Sequence, residues 1–561
     1  MDRKIYKYLF TYLLLLIIFG GAGIVLCEDE FTDLTANVKC GTFWQESVKK
    51  QILQSLCKVP DSTGRTELQA KIPSSSGKFL IHYDTTGINA VPLEDTNGNG
   101  IPDYVDSVSY YFDYAYLVEV DSMGYCKPAS DNGRGGSDAV DVYLLNIGDY
   151  KYSPKPAYGI TYPDFQIYLT RTFPCYASFT VIDNDFSPLD SLIDNSGKKK
   201  PTFNETGIKG MKITACHEFH HVLQNNYGIS FPQSSSLNEL TSTGMEFRLF
   251  PDTKDYYSQI KGFFRSPSSY PLGIGDPESG YKNAAFTQYI NRNFGDIILR
   301  RMWEMVSDGF TAYRAFDSSF KESGTSLATE WCNYAPWIYF TGTRAKHGEY
   351  FAYAEEFPMI NFSDTLEYTS PSIMYSGFMK SFEVRVCKHI LPKGENSTAD
   401  TLDLILMNTD LNAAIMQIPS DKSYNVTIAK SALPGFSQIE NTQYYYLFQS
   451  NNNLICDTQF FNSGHQTQEI DFVYPNPYRQ SDESYIYFPV PEGALLQEKV
   501  TLTVSNAEMV IIYSADLSIE SDNRNRVVVW RNIPSDLSKG VYIFSVRYKD
   551  SEKIGKFAVV E

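Results

Sequence analysis

The order of secondary-structure signals predicts a multidomain chain, an α+β unit followed by all-β sandwich modules. Three observations carry this expectation. The 561 residues correspond to roughly three or four domains at about 150 residues each. Between 78 and about 360, alternating apolar runs give strands first and 3.6-residue periods give helices later, the order of an α+β unit. Beyond 360 the helical signal fades, and short apolar runs separated by Gly, Pro, Asn and Ser recur to the end. Apolar residues make up 43% of the chain and charged residues 20%, which suits packed cores and excludes global disorder.

The N-terminus sets the compartment. Arg3, Lys4 and Lys7 precede an apolar stretch from Tyr8 to Leu26, and Glu28-Asp29-Glu30 follows. A basic start, an apolar centre and the small residues Gly20-Gly21-Ala22-Gly23 make residues 1–27 a signal peptide for export to the cell surface or beyond. The stretch is long enough to span a membrane uncleaved, so a retained anchor stays open. Leu26, where a small residue would be expected before Cys27, argues against a lipoprotein. Residues 28–75 hold one amphipathic helical pattern, through Phe43, Val48, Ile52, Leu53 and Leu56, and form an N-terminal extension or propeptide. An oxidising compartment permits disulfides. Cys40 with Cys57 and Cys126 with Cys175 are the pairings that proximity along the chain favours. Lys39-Cys40-Gly41 is similar to the device in which a propeptide thiolate caps a zinc ion, but Cys57 offers Cys40 a simpler partner.

Residues 76–360 carry the chemistry. Phe79–Tyr83, Val140–Leu144 and Phe179–Ile182 read as strands. Helical periods fall near 104–120, 208–226, 237–247, 283–293 and 295–306. His217-Glu218-Phe219-His220-His221 is an HExxH, set in a helical context that Gly228 closes. Histidines at i and i+4 share a helix face, so His217 and His221 can reach one Zn²⁺ while Glu218 takes a proton from the attacking water. His220 could compete, but only the 217/221 pair keeps Glu218 in the base position. The chain has seven histidines, so three within five residues is not a composition effect. A catalytic zinc needs a third protein ligand. Glu239, on the following helix, is the natural candidate and Glu246 the runner-up. Tyr281 and His347 are both open as the donor that stabilises the transition state.

Asp95-Thr96-Asn97-Gly98-Asn99-Gly100-Ile101-Pro102-Asp103-Tyr104-Val105-Asp106 matches the spacing of a calcium loop. It offers side-chain oxygens from Asp95, Asn97, Asn99, Asp103 and Asp106 and the carbonyl of Ile101. Asp106 stands where Glu is usual. Asp183-Asn184-Asp185 is weaker and reads as a strand-end turn. The formal charge, 48 basic against 66 acidic residues for −18, argues against nucleic acid as a partner.

The run from His217 to Gln224, then Asn238-Glu239-Leu240-Thr241-Ser242-Thr243-Gly244-Met245-Glu246-Phe247, then Tyr281, Phe294-Gly295-Asp296-Ile297-Ile298 and Met302-Trp303-Glu304 resembles a family of secreted bacterial zinc metallopeptidases of gluzincin type. Leu240, Ser242 and Gly244 depart from its second motif but spare Glu239. The resemblance covers roughly 75–360. It implies a zincin-like fold, endopeptidase activity and protein or peptide substrates. Residues 361–471 read as a β-sandwich domain. In 472–561, Tyr474-Pro475-Asn476-Pro477, Gly540-Val541-Tyr542 and Lys553-Ile554-Gly555-Lys556-Phe557 are similar to the Ig-like C-terminal sorting domains of type IX secretion cargo. That implies secretion machinery as a partner. The mature chain is expected to act as a monomer.

Overall fold

The computed structural model describes residues 39–57, 65–167, 173–228, 234–346, 348–367, 372–390, 401–420, 423–429, 444–451, 453–457, 472–480, 485–491, 493–522, 525–549 and 551–560. The expected signal peptide and His347 lie outside the described residues. The chain is a multidomain α+β protein with several mixed sheets and a β-rich C-terminal region.

The first sheet has five strands: β1 (Ala70–Pro73), β2 (Phe79–Tyr83), β3 (Val140–Leu145), β4 (Gly159–Ile167) and β5 (Cys175–Asp183). Their order is β1-β2-β3-β5-β4, with β2, β3 and β5 mutually parallel and β1 and β4 antiparallel to their neighbours. β4 is therefore an edge. The strand period of two divides the sheet's side chains between two cores. Val140, Val142 and Leu144 join Phe79 and Ile81 under two helices, α2 (Asp103–Tyr116) and α3 (Gly207–Tyr227). Tyr143, Leu145, Ile160, Tyr162 and Phe179 face the other way, against Ile52 and Leu56 of helix α1 (Glu46–Leu56). Both faces are covered, which is why β2 and β3 are apolar almost throughout. Arg65, which is buried, ties the chain after α1 to this sheet through Asp131 at 2.8 Å, Asp164 at 2.9 Å and Asp141.

The expected helices are present, and α3 and its successor α4 (Ser235–Leu249) are buried on nearly every side. Burial of so many polar side chains requires that they pair with one another or with an ion. Further helices at Ala285–Phe294, Ile297–Ser307 and Ala312–Glu322 extend this core.

Beyond 360, strands Asp364–Glu367, Val384–Ile390, Thr401–Met407, Tyr444–Asn451 and Asn453–Asp457 form a mixed sheet, and Ser372–Phe378 pairs with Ser423–Ala429. Val384, Val386, Ile405 and Met407 share the core of the helical unit. From 472 a five-stranded and a three-stranded sheet enclose a separate core that includes Phe488, Leu502, Val504, Trp530, Phe544 and Phe557. No helix among the described residues is long and apolar enough to cross a membrane.

The structure corrects the expected disulfides. Among the described residues Cys40, Cys57 and Cys126 are free thiols, so neither expected pairing is formed. Nearness along the chain misled: the 11 residues of α1 put about 16 Å of helix between Cys40 and Cys57. Cys126 is exposed while Cys175 is buried within β5.

Candidate metal centre

α3 carries His217, Glu218 and His221 on adjacent turns, and α4 packs against it with Glu239. His217 Nε2 lies 3.2 Å from His221 Nε2 and 3.2 Å from Glu239 Oε2, and His221 Nε2 is 3.5 Å from the same oxygen. Cys40 Sγ joins them: ligand atoms of Cys40, His217, His221 and Glu239 all lie within 4.8 Å of one another, and all four residues are buried.

The hydrogen bonds behind these atoms fix what faces inward. His217 Nδ1 donates to Glu246 Oε1 at 2.7 Å, and His221 Nδ1 donates to Gln224 Oε1 at 2.7 Å. Gln224 is oriented in turn, because its amide donates to the Asn238 carbonyl at 3.0 Å and to Thr241 Oγ1 at 2.9 Å. Both imidazoles therefore present bare Nε2 lone pairs to one point, beside the Glu239 carboxylate. Three buried acceptors converging on one point repel each other unless a cation or a proton sits among them. With the protein's own charges alone, a proton serves. Burial pushes His217 down, but Glu239 and Glu246 overcome this and hold it up at about 10. Burial likewise pushes Glu239 up, and His221 and His217 outweigh it to bring the carboxyl down to about 2.

The same spacing could hold a divalent ion. Tetrahedral zinc with bonds of 2.0–2.1 Å requires ligand separations of about 3.3 Å, close to the three distances here. Nitrogen, carboxylate and sulfur donors suit zinc. Glu246, the runner-up as ligand, stands behind His217, where a carboxylate fixes a ligand's tautomer.

Glu218 borders the group. Its Oε2 accepts from Thr161 Oγ1 at 2.7 Å and from Thr42 Oγ1 at 3.2 Å, and its Oε1 has no hydrogen-bond partner although the residue is 1% exposed. The Tyr281 ring stacks 6.1 Å from that of His217, and burial followed by the charge of Glu239 pushes its hydroxyl well up. His220 points away: Nδ1 pairs with Glu119 at 2.7 Å, where the helix after α2 widens into a π turn over Leu117–Ser122.

The loop at 95–106 folds around its own carboxylates. Asp95 accepts from the backbone of Gly98, Asn99 and Gly100, and Asp106 accepts from the amides of Asn97 and Asn99. Asp103 accepts from Thr96 N, and Ile101 N donates to Asn99. The second metal-competent group among the described residues lies elsewhere. Asp183, Asp185 and Asp190 bring carboxylate oxygens within 4.8 Å of one another. The sequence marks Asp183 and Asp185 as a strand-end turn, and Asp190 reaches them from beyond it.

The sequence showed the likeness of Lys39-Cys40-Gly41 to a zinc-capping thiolate but favoured Cys57 as the partner of Cys40, and it did not bring Gln224, Thr161 or Thr42 to this place. Of these only Gln224, three residues after His221 on the same helix, left a readable spacing. A cavity of about 520 Å³ lined by Trp337, Tyr350, Arg292, Tyr474 and Tyr487 lies apart from the metal group, against the C-terminal region. No protein-family model, curated protein or solved structure matches this chain.

Proposed function

We propose that the chain is an exported zinc-dependent endopeptidase of gluzincin type, with Glu218 as its general base. One observation supports this above the others. Glu218 sits beside the two histidines and Glu239 with one oxygen anchored by Thr161 and the other bare. Most buried polar side-chain atoms are paired, so an oxygen left bare beside the two histidines is placed to take a proton.

His217, His221 and Glu239 would hold the zinc ion, which when bound acidifies a water and polarises a peptide carbonyl. Glu218 accepts the proton of the attacking water and passes it to the leaving amine. Tyr281 stays protonated and can donate to the carbonyl oxygen as negative charge develops there. As an edge strand, β4 offers backbone groups of the kind by which a sheet recognises an extended peptide. In the same reading calcium steadies the 95–106 loop and the Asp183, Asp185 and Asp190 group, and residues 472–561 deliver the chain through type IX secretion machinery.

The test is Glu218→Gln, made in a Cys40→Ala background so that the three ligands are clear. Zinc should stay at one per chain while peptide hydrolysis falls by roughly 10²–10⁴-fold, the usual contribution of a general base. Unchanged hydrolysis by the zinc-loaded variant would take Glu218 out of the mechanism.

A further inference from the structure

The groove along β4 already holds a peptide, and it belongs to this chain. Cys40 pairs with Gly159 as a parallel bridge, Gly41 N donates to the Gly159 carbonyl at 2.9 Å, and Tyr158 N donates to the Lys39 carbonyl at 2.9 Å. Thr161 N donates to Thr42 Oγ1 at 2.9 Å. Residues 39–42 therefore add a short strand to the edge that a substrate would use.

Each neighbouring side chain engages a working part of the site. Cys40 Sγ completes the group formed by His217, His221 and Glu239. Thr42 Oγ1 donates to Glu218 Oε2 at 3.2 Å. The Phe43 ring meets the His221 ring edge-on at 5.5 Å. Lys39, buried, pairs with both Glu246 and Asp255, and Glu246 is the carboxylate that orients His217. The atom offered to the ligand set is a thiol and not a peptide carbonyl, so the segment occupies the site without presenting a bond to cleave. Thr42 N donates to Sγ at 3.3 Å, which holds the sulfur in its place beside the three ligands. Independently of Cys40, the buried Oε1 of Glu218, which has no hydrogen-bond partner, marks this as a place built for a ligand.

Building on the peptidase reading, we infer that residues 39–44 are an intramolecular plug: the Cys40 thiolate is the fourth ligand of the metal centre, and the segment keeps other peptides out. Coordination releases the thiol proton to solvent. On opening, Cys40 would leave the position beside His217, His221 and Glu239 to water, and its thiolate would regain a proton. No oxidant or reductant is consumed. Because the plug is tethered, its effective concentration is on the order of millimolar, so it outcompetes dilute peptides and yields once the tether is cut.

The experiment uses the full exported chain loaded with Co²⁺, with acetohydroxamate as a small metal-seeking probe. Wild type should show a thiolate-to-cobalt charge-transfer band and bind acetohydroxamate at least about tenfold more weakly than Cys40→Ala, which should lack the band. Cys40→Ser, closer in volume, guards against misfolding of the alanine variant and should also lack it. A wild-type protein that binds cobalt without the band, or that admits acetohydroxamate as readily as either variant, overturns the inference. Peptide hydrolysis by the same samples judges the enzyme separately. If the band and the exclusion behave as expected while no sample cleaves peptides, the plug stands and the peptidase reading falls.

Discussion

Glu239 and Glu246 present the same carboxylate on one helix, about 10 Å apart at 1.5 Å per residue, and their surroundings give them different work. Glu239 Oε2 faces both Nε2 atoms, whereas Glu246 accepts from His217 Nδ1 and holds Lys39. Glu239→Ala should purify without zinc. Glu246→Ala should keep one zinc per chain, bound roughly 10–100-fold more weakly, because an orienting partner is lost and not a ligand. Metal stoichiometry and a chelator competition measure both, and the reverse pattern would move the ligand role to Glu246. The Asp183, Asp185 and Asp190 group makes a pH prediction. Burial, then the charges of Asp185 and Asp149, push Asp190 up to about 7 from an ordinary 3.8, and burial raises Asp183 and Asp185 as well. The folded protein thus holds a proton on Asp190 that the unfolded chain has released between about pH 4 and 7. The stability this contributes is fully present below pH 4 and lost as pH rises through 7. In chelator the melting temperature should fall across that window, and added calcium should restore several degrees at pH 7.5 by replacing the proton with an ion. A melting temperature at pH 7.5 that ignores calcium would show that the three carboxylates hold no such ion.

The site is made where α3 crosses the edge strand β4, and Gly159 sets how closely they approach. A Cβ at 159 would lie 2.6 Å from Glu218 Cγ and 2.8 Å from Thr214 Cγ2. Gly159→Ala should therefore displace Glu218 while leaving His217, His221 and Glu239 in place. The expected result is zinc at one per chain, peptide hydrolysis reduced at least tenfold, and stability lower by about 1–3 kcal/mol from overpacking. Wild-type turnover with a lowered melting temperature would mean that Glu218 does not need its present position. What could be read from sequence follows the same division between near and far. His217, Glu218 and His221 fall within two turns of one helix, so spacing alone places them. Glu239 required only that the next helix fold back, and α4 does so. Strands β2 and β3 and the helices from α2 onward announced themselves through period. Cys40 showed only as a likeness to a zinc-capping thiolate, because its neighbours at the site are set by the closing of a long loop: Thr42 meets Glu218 across 176 residues. Local spacing pointed instead to Cys57. Asp190 was missed for a similar reason, since a turn read in isolation does not show what returns to it.

At the scale of the whole molecule, the C-terminal region is folded on its own core yet packed against the unit that holds the metal group. Ser122 donates to Asn476 at 3.2 Å, Arg479 to the Tyr114 hydroxyl at 3.2 Å, and Lys556 reaches the Asp121 carbonyl. The Arg292 guanidinium lies 4.7 Å over the Tyr474 ring. Gly295, at φ +68°, lets Phe472 approach to where a Cβ would be 2.3 Å away. Polar and aromatic contacts are mixed here, and none of those named touches His217, His221, Glu239 or Glu218. Removal of residues 472–561 should therefore leave zinc at one per chain and leave acetohydroxamate binding in the Cys40→Ala background unchanged. It should also lower the melting temperature of the remaining unit by a few degrees, because Phe247, Trp337 and Tyr350 lose the wall of their shared cavity. If the region acts as the export signal, the truncated chain should in addition accumulate inside its native host while the full chain reaches the surface. The two readouts separate the two roles. A truncated chain that loses its metal would make the C-terminal region part of the catalytic fold, whereas one that is exported normally would end its assignment to delivery.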